Sequence, residues 1–149
     1  MKEIIYAMQF KGIAAPKPGV SGVIEASTTA AATTINSVVS PDGVTGTVMP
    51  IAAEQASFKS EVTLTGQNSF TEAGTIRFGN SAHSLRFSTI GQGFIGKSPE
   101  ATLQHGAVMW QVEGGEGQFA GASGIITSNF TLSTTGEVTD YHFGVIFVK

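Results

Sequence analysis

The chain has no cysteine, which excludes disulfides and thiolate metal centres. Charge is scarce: Asp, Glu, Lys and Arg make up 13% of 149 residues and the net charge is −3. That balance lacks the basic footprint of a nucleic-acid-binding protein. With 41% hydrophobic residues it also excludes the low-hydrophobicity, high-charge signature of disorder. No apolar run approaches the roughly 18 residues of a spanning helix. The N-terminal run Met1–Met8 is broken at Gln9 and Lys11, too short and too polar for a signal peptide. The expectation is a soluble cytoplasmic protein with no nucleic-acid partner and no membrane partner. His83, His105 and His142 have no helical i,i+4 spacing and no acid at matching distance. Neither a metal site nor a cofactor is therefore expected.

Glycine is plentiful, with 19 residues, and long helical periodicity is missing. The length suits one domain spanning 1–149. Short alternating runs dominate instead: Glu3–Phe10, Val20–Ile24, Ile35–Val39, Val44–Met49, Phe58–Thr65, Gly74–Phe78, Ser84–Ile90, Ala107–Glu113, Ile125–Ser133 and Val138–Val148. Ser27–Thr34 is ambiguous, because alanine favours helix and threonine resists it. Pro41-Asp42-Gly43 is a turn, with proline presetting φ and glycine supplying a positive φ. Pro50–Gln55 reads as one helical turn. Ser98-Pro99 reads as an N-cap followed by a first-turn proline, opening a helix that Gly106 limits to about two turns. About eight to ten short strands separated by turn signals predict an all-β sandwich or barrel, and a barrel removes the exposed edges of an open sheet.

One stretch specifies the barrel further. Gly114-Gly115-Glu116-Gly117-Gln118-Phe119-Ala120-Gly121-Ala122-Ser123-Gly124 holds a glycine corner between two late strands. Glycine there permits positive φ and close backbone approach, as a bulged corner requires. Phe119 is expected to fold inward as a plug, and Ala122 to stay small against the neighbouring strand. This corner resembles that of the allene oxide cyclase-like barrels and the dirigent proteins similar to them, including a small bacterial family of unknown function. The resemblance is carried by the corner and its flanking strands. It implies an eight-stranded antiparallel β-barrel with a central cavity. It carries over no catalytic residue and does not imply cyclase chemistry.

A second glycine-rich stretch points elsewhere. Gly91-Gln92-Gly93-Phe94-Ile95-Gly96-Lys97-Ser98 matches the phosphate-loop pattern G-x-x-x-x-G-K-[ST] letter for letter. Phosphate binding needs free loop amides and a substantial helix after them. The short helix and the absence of a βαβ series argue instead for a glycine-rich excursion over the barrel mouth.

Ligand-contacting candidates are Glu61, Arg86, His105, Trp110 and Tyr141. Glu61 or Arg86 would anchor the polar end of an apolar ligand if the lumen holds them, and the bland reading of both is a solvated face. Trp110, the one tryptophan, is core or cavity wall. On the last strand Tyr141, Phe143, Val145 and Phe147 form one face, and Asp140, His142, Gly144, Ile146 and Val148 the other. Asp140 and His142 make either a structural hydrogen-bonded pair or an acid–base pair. Apolar residues on both faces suggest a homo-oligomer. The expected function is binding of a small, largely apolar molecule in the lumen. The alternative is an isomerase or cyclase in the same cavity, with Glu61, Arg86, His105 or Tyr141 moving the proton. A lumen of about 300 Å³ or more favours binding, a charged pair inside favours catalysis, and a lumen packed solid favours neither.

Overall fold

Period-two alternation of apolar side chains becomes strand wherever one face can be buried. A computed structural model describes residues 1–80 and 82–149. The strands in chain order are β1 (Lys2–Pro16), β2 (Val23–Ala30), β3 (Thr33–Ser40), β4 (Gly43–Pro50), β5 (Ala56–Leu64), β6 (Ser69–Phe78), β7 (His83–Thr89), β8 (Gly93–Lys97), β9 (Leu103–Glu116), β10 (Ser123–Ser133) and β11 (Glu137–Val148). A single 3₁₀ turn, Gly117–Phe119, is the only helical element among the described residues.

The strands close into an eight-stranded antiparallel barrel. The sheet runs β10-β11-β1-β2-β5-β6-β7-β9, and β9 pairs back to β10. The stave between β6 and β9 is broken in two. β7 pairs with the far half of β9, from Thr89↔Trp110 to Ser84↔Glu116, while β8 pairs with the near half, from Phe94↔Ala107 to Lys97↔Gln104. β3 and β4 leave the barrel as a separate two-stranded ribbon turned at Pro41-Asp42.

Two expected helices are absent, and both absences have a physical reason. Pro50 ends β4, and the Ile51 N–H bonds the Ala32 carbonyl at 2.8 Å, closing the base of the ribbon instead of starting a helical turn. After Pro99 the chain only turns. Ser98 Oγ accepts the Glu100 N–H at 2.9 Å, and Leu103 already belongs to β9. Glu100, Ala101 and Thr102 offer no apolar face for a helix to bury, whereas Leu103 gains a ladder. The phosphate-loop look-alike is thereby resolved as β8: its residues pair with β9, and no helix comes after it.

The glycine corner is built as expected. Between Leu85↔Gly115 and Phe87↔Val112, β9 carries one extra residue, a β-bulge at Glu113-Gly114 with Gly114 at φ 77°. Phe119 and Ala122 are buried. The Phe119 ring packs on Phe78 at 5.3 Å, and Phe78 meets Tyr6 edge-on at 5.7 Å. These rings plug one end of the barrel.

Candidate functional site

Inside the barrel the inward rows make three layers. The plug at the corner end is the first. Above it lies an aromatic plate: Trp110 contacts Phe87 at 4.4 Å and Phe58 at 5.6 Å, and the His142 ring stacks on Phe10 at 4.1 Å and meets Trp110 edge-on at 5.1 Å. All five rings are essentially fully buried. Each aromatic contributes roughly 1.5–3 kcal/mol of burial, so this half of the lumen is solid.

The third layer is open. Towards the β8–β9 turn lies an apolar cavity of about 70 Å³, where small residues such as Ala14, Ala26 and Thr28 stand among larger ones such as Leu64, Phe70 and Phe130. A water needs about 10–15 Å³ of such space; the cavity thus holds a few waters or one compact chemical group. It is smaller than the roughly 300 Å³ that encloses a drug-sized ligand.

Two carboxyl groups, from Glu72 on β6 and Asp140 on β11, face this cavity. Both residues are buried. Ser60 Oγ donates to Glu72 Oε1 at 2.6 Å, and Ser128 Oγ donates to Asp140 Oδ1 at 2.6 Å. Asp140 Oδ2 lies 3.0 Å from His142 Nε2, so Asp140 and His142 form a buried hydrogen-bonded pair. Serine here serves the aspartate and not the histidine, which is the wrong order for a serine nucleophile. Burial pushes the Glu72 carboxyl up to about 8; its bond from Ser60 opposes the shift, and the like charge of Asp140 reinforces it. Trp110 lies close enough to favour the Glu72 anion, yet its indole N–H makes no hydrogen bond. Thr28 Oγ1, also buried against the cavity, has no partner either. Burial, with Asp140 as the second cause, raises the Tyr6 phenol above its ordinary value.

The residues singled out from sequence do not converge in this lumen. Glu61 is exposed on the outer face and paired with Lys17. Arg86 is exposed at the bulge, where its guanidinium donates to the Glu113 carbonyl at 3.1 Å. His105 and Tyr141 are also outside, brought together at the rim of a shallow surface hollow with Phe94. Trp110 is the one that points inward, in the aromatic plate. Sequence reasoning missed Glu72 as a candidate and weighed Asp140 only as the partner of His142. The legible signal for Glu72 was the row Phe70, Glu72, Gly74, Ile76, Phe78, in which an acid interrupts an apolar face.

Fold and lumen together define a closed antiparallel barrel with an acidic floor to its open end. No protein-family model matches the sequence, and no curated protein matches it. Among solved structures the chain is similar to the pterocarpan synthase dirigent protein GePTS1, with a TM-score of 0.54 and 16% identity, over 100% of this chain and 88% of that one. At that identity the likeness shows a shared barrel fold.

Proposed function

We propose that the protein binds a small, largely apolar molecule whose polar end sits between Glu72 and Asp140 at the floor of the open lumen. The carrying observation is the Glu72 carboxyl, buried in an apolar cavity and raised to about 8. At neutral pH it is mostly protonated and donates a hydrogen bond to a carbonyl, ether or hydroxyl oxygen. The unpartnered Thr28 hydroxyl offers a second polar contact. With about 70 Å³ inside, the cavity takes the polar head and adjoining carbons, and the rest of the ligand emerges at the mouth. The likeness to a pterocarpan synthase dirigent protein is consistent with a barrel that handles small molecules.

The test uses 4-phenyl-2-butanone, an apolar body with one acceptor oxygen, monitored by Trp110 fluorescence. Saturable binding is expected at pH 6 and is expected to weaken at pH 9, where ionised Glu72 no longer donates. Glu72→Gln keeps a donor and is expected to bind alike at both pH values. Glu72→Leu is expected to bind about 5- to 30-fold more weakly than wild type at pH 6, the effect of losing one buried hydrogen bond. Absence of saturable binding at pH 6, or a wild-type affinity indifferent to pH, overturns the reading.

One observation favours a catalytic variant. Two carboxyl groups share the cavity, and burial, by raising the Glu72 carboxyl, suits that residue to the role of general acid. Glu72 would protonate the ketone oxygen while Asp140 takes an α-proton, giving the enol, and reversal in D₂O leaves deuterium at that carbon. Exchange above the buffer rate, abolished in Asp140→Asn, supports an isomerase or cyclase. Binding without exchange leaves a binding protein.

A further inference from the structure

We infer that the outer wall of the barrel carries a second ligand site, separate from the lumen, which takes a short β-linked gluco-oligosaccharide in the hollow between Phe94 and Tyr141. Strand register builds it. One outward row crosses five strands: Phe94 on β8, Ala107 on β9, Asn129 on β10, Tyr141 on β11 and Gln9 on β1, each paired directly with the next. Ala107 is the smallest side chain of that row, and a hollow of about 440 Å³ opens around it. That volume lies within the range of small-ligand clefts. His105 and Thr131, paired with each other in the next outward row, line the hollow too.

One glycine of the phosphate-loop look-alike makes room for the first wall. A β-carbon at Gly96 would lie 2.8 Å from Phe94 Cζ. The Phe94 ring therefore lies along β8 over Gly96, with the His105 ring beside it at 6.4 Å between centroids. It stands 51% exposed there. Tyr141, on the opposite side of the hollow, is 40% exposed. Gln9 Nε2 donates to the Tyr141 hydroxyl at 3.0 Å. That bond holds the oxygen in place and leaves the phenolic hydrogen free to donate to a ligand.

Two features select the ligand. Among the described residues, no carboxylate, lysine or arginine lines the hollow. Its polar groups are an amide, a hydroxyl, an imidazole and a phenol, which between them donate and accept. An anionic or cationic ligand finds no counter-charge there, whereas a row of hydroxyls finds partners. The second feature is the pair of exposed rings. In a β-linked glucose chain every ring substituent is equatorial, so both faces of each sugar carry only C–H bonds and can pack on an aromatic ring. The Phe94 and Tyr141 backbones lie three strand spacings apart, roughly 14 Å. A short chain of sugars covers that span and one flat ring does not. A planar heteroaromatic would stack on one wall and leave the Asn129 amide and Thr131 hydroxyl unused.

Calorimetric titration of the full chain with cellotetraose is the test. Saturable binding is expected, and Phe94→Ala and Tyr141→Ala are each expected to weaken it about 3- to 10-fold. Both side chains are exposed outside the core, so both variants are expected to melt near the wild-type temperature. Glu72→Leu, in the lumen, is expected to bind cellotetraose as wild type does. Phe94→Ala is expected to bind 4-phenyl-2-butanone as wild type does, so the two sites stand or fail separately. Absence of saturable binding at millimolar cellotetraose overturns the inference. Cellotetraose affinity unchanged in both aromatic variants overturns it as well, and so does tighter binding of caffeine, a flat neutral heteroaromatic, than of the sugar.

Discussion

Gly115→Ala is expected to lower stability by about 3 kcal/mol or more, above the usual range for overpacking. The cause is steric rather than conformational. A β-carbon at this position would overlap the Ser84 carbonyl oxygen and sit 2.8 Å from the Leu85 α-carbon. Both are backbone atoms of the paired strand, where Leu85 opposes Gly115 directly, so neither can move aside as a flexible side chain would. Relief requires β7 to part from β9 beside the bulge, which reopens one seam of the barrel. For a chain of this size, 3 kcal/mol corresponds to roughly 6–12 °C in Tm. Gly91→Ala is the matched control. Gly91 has φ 69° but nothing within 4 Å of an added β-carbon, so only the left-handed strain of about 1–2 kcal/mol applies. Thermal melts of the two variants check the comparison. Equal melting temperatures would falsify the close approach of β7 and β9.

That contrast also shows why two similar glycine-rich stretches carried different information. At the corner, glycine answers to several constraints at once: a bulge, a backbone contact at Gly115, and positive φ at Gly114, Gly117, Gly121 and Gly124. Such a conjunction has few structural solutions, so the corner was readable as a barrel feature. Gly91–Ser98 matches a motif whose chemistry depends on its C-terminal neighbour in the chain. A phosphate loop needs a helix there, and β8 has another strand after its turn. The letters were the same, and long-range pairing with β9 decided between them.

Strand existence was legible because period two survives along β5, β9, β10 and β11. Strand orientation was harder. Burial in a closed barrel has to satisfy the lumen first, and this lumen keeps Glu72, Asp140 and His142 inside. On β11 the more apolar row consequently faces out, contrary to the simple rule that the apolar face is buried. The site was illegible for a related reason. Gly66-Gln67-Asn68 and the polar residues after it read as loop, which puts the expected strand start at Gly74, whereas β6 begins at Ser69. Extending it by five residues turns Glu72 from a loop acid into an inward one. Lone polar residues such as Glu61 and Arg86 draw attention because they are charged, yet charge is what keeps them outside. The informative acid was one placed where the alternation called for an apolar residue.

Glu72 also dictates how the barrel responds to pH. Its carboxyl rises from the ordinary range to about 8 on folding, so between those limits the folded chain holds a proton that the unfolded chain has released. More protons bound in the folded state means stability falls as pH rises. The contribution is fully present below about pH 4.5, declines through neutrality, and is gone once pH has passed 8. The expected loss for wild type between pH 5 and pH 9 is of the order of a few kcal/mol. Glu72→Gln isolates it. The amide keeps the volume and still accepts the bond from Ser60 but does not ionise, so its stability should vary less with pH and exceed that of wild type at pH 9. Urea unfolding of both proteins at pH 5, 7 and 9 provides the comparison, with the assembly state held fixed by working at one protein concentration. Asp140 remains in both chains, so whatever it and its partner His142 contribute is largely shared and cancels in the difference. Parallel profiles for the two proteins would mean that Glu72 is ionised in the folded barrel at neutral pH. The reading of Glu72 as the hydrogen-bond donor to a ligand would be overturned with it.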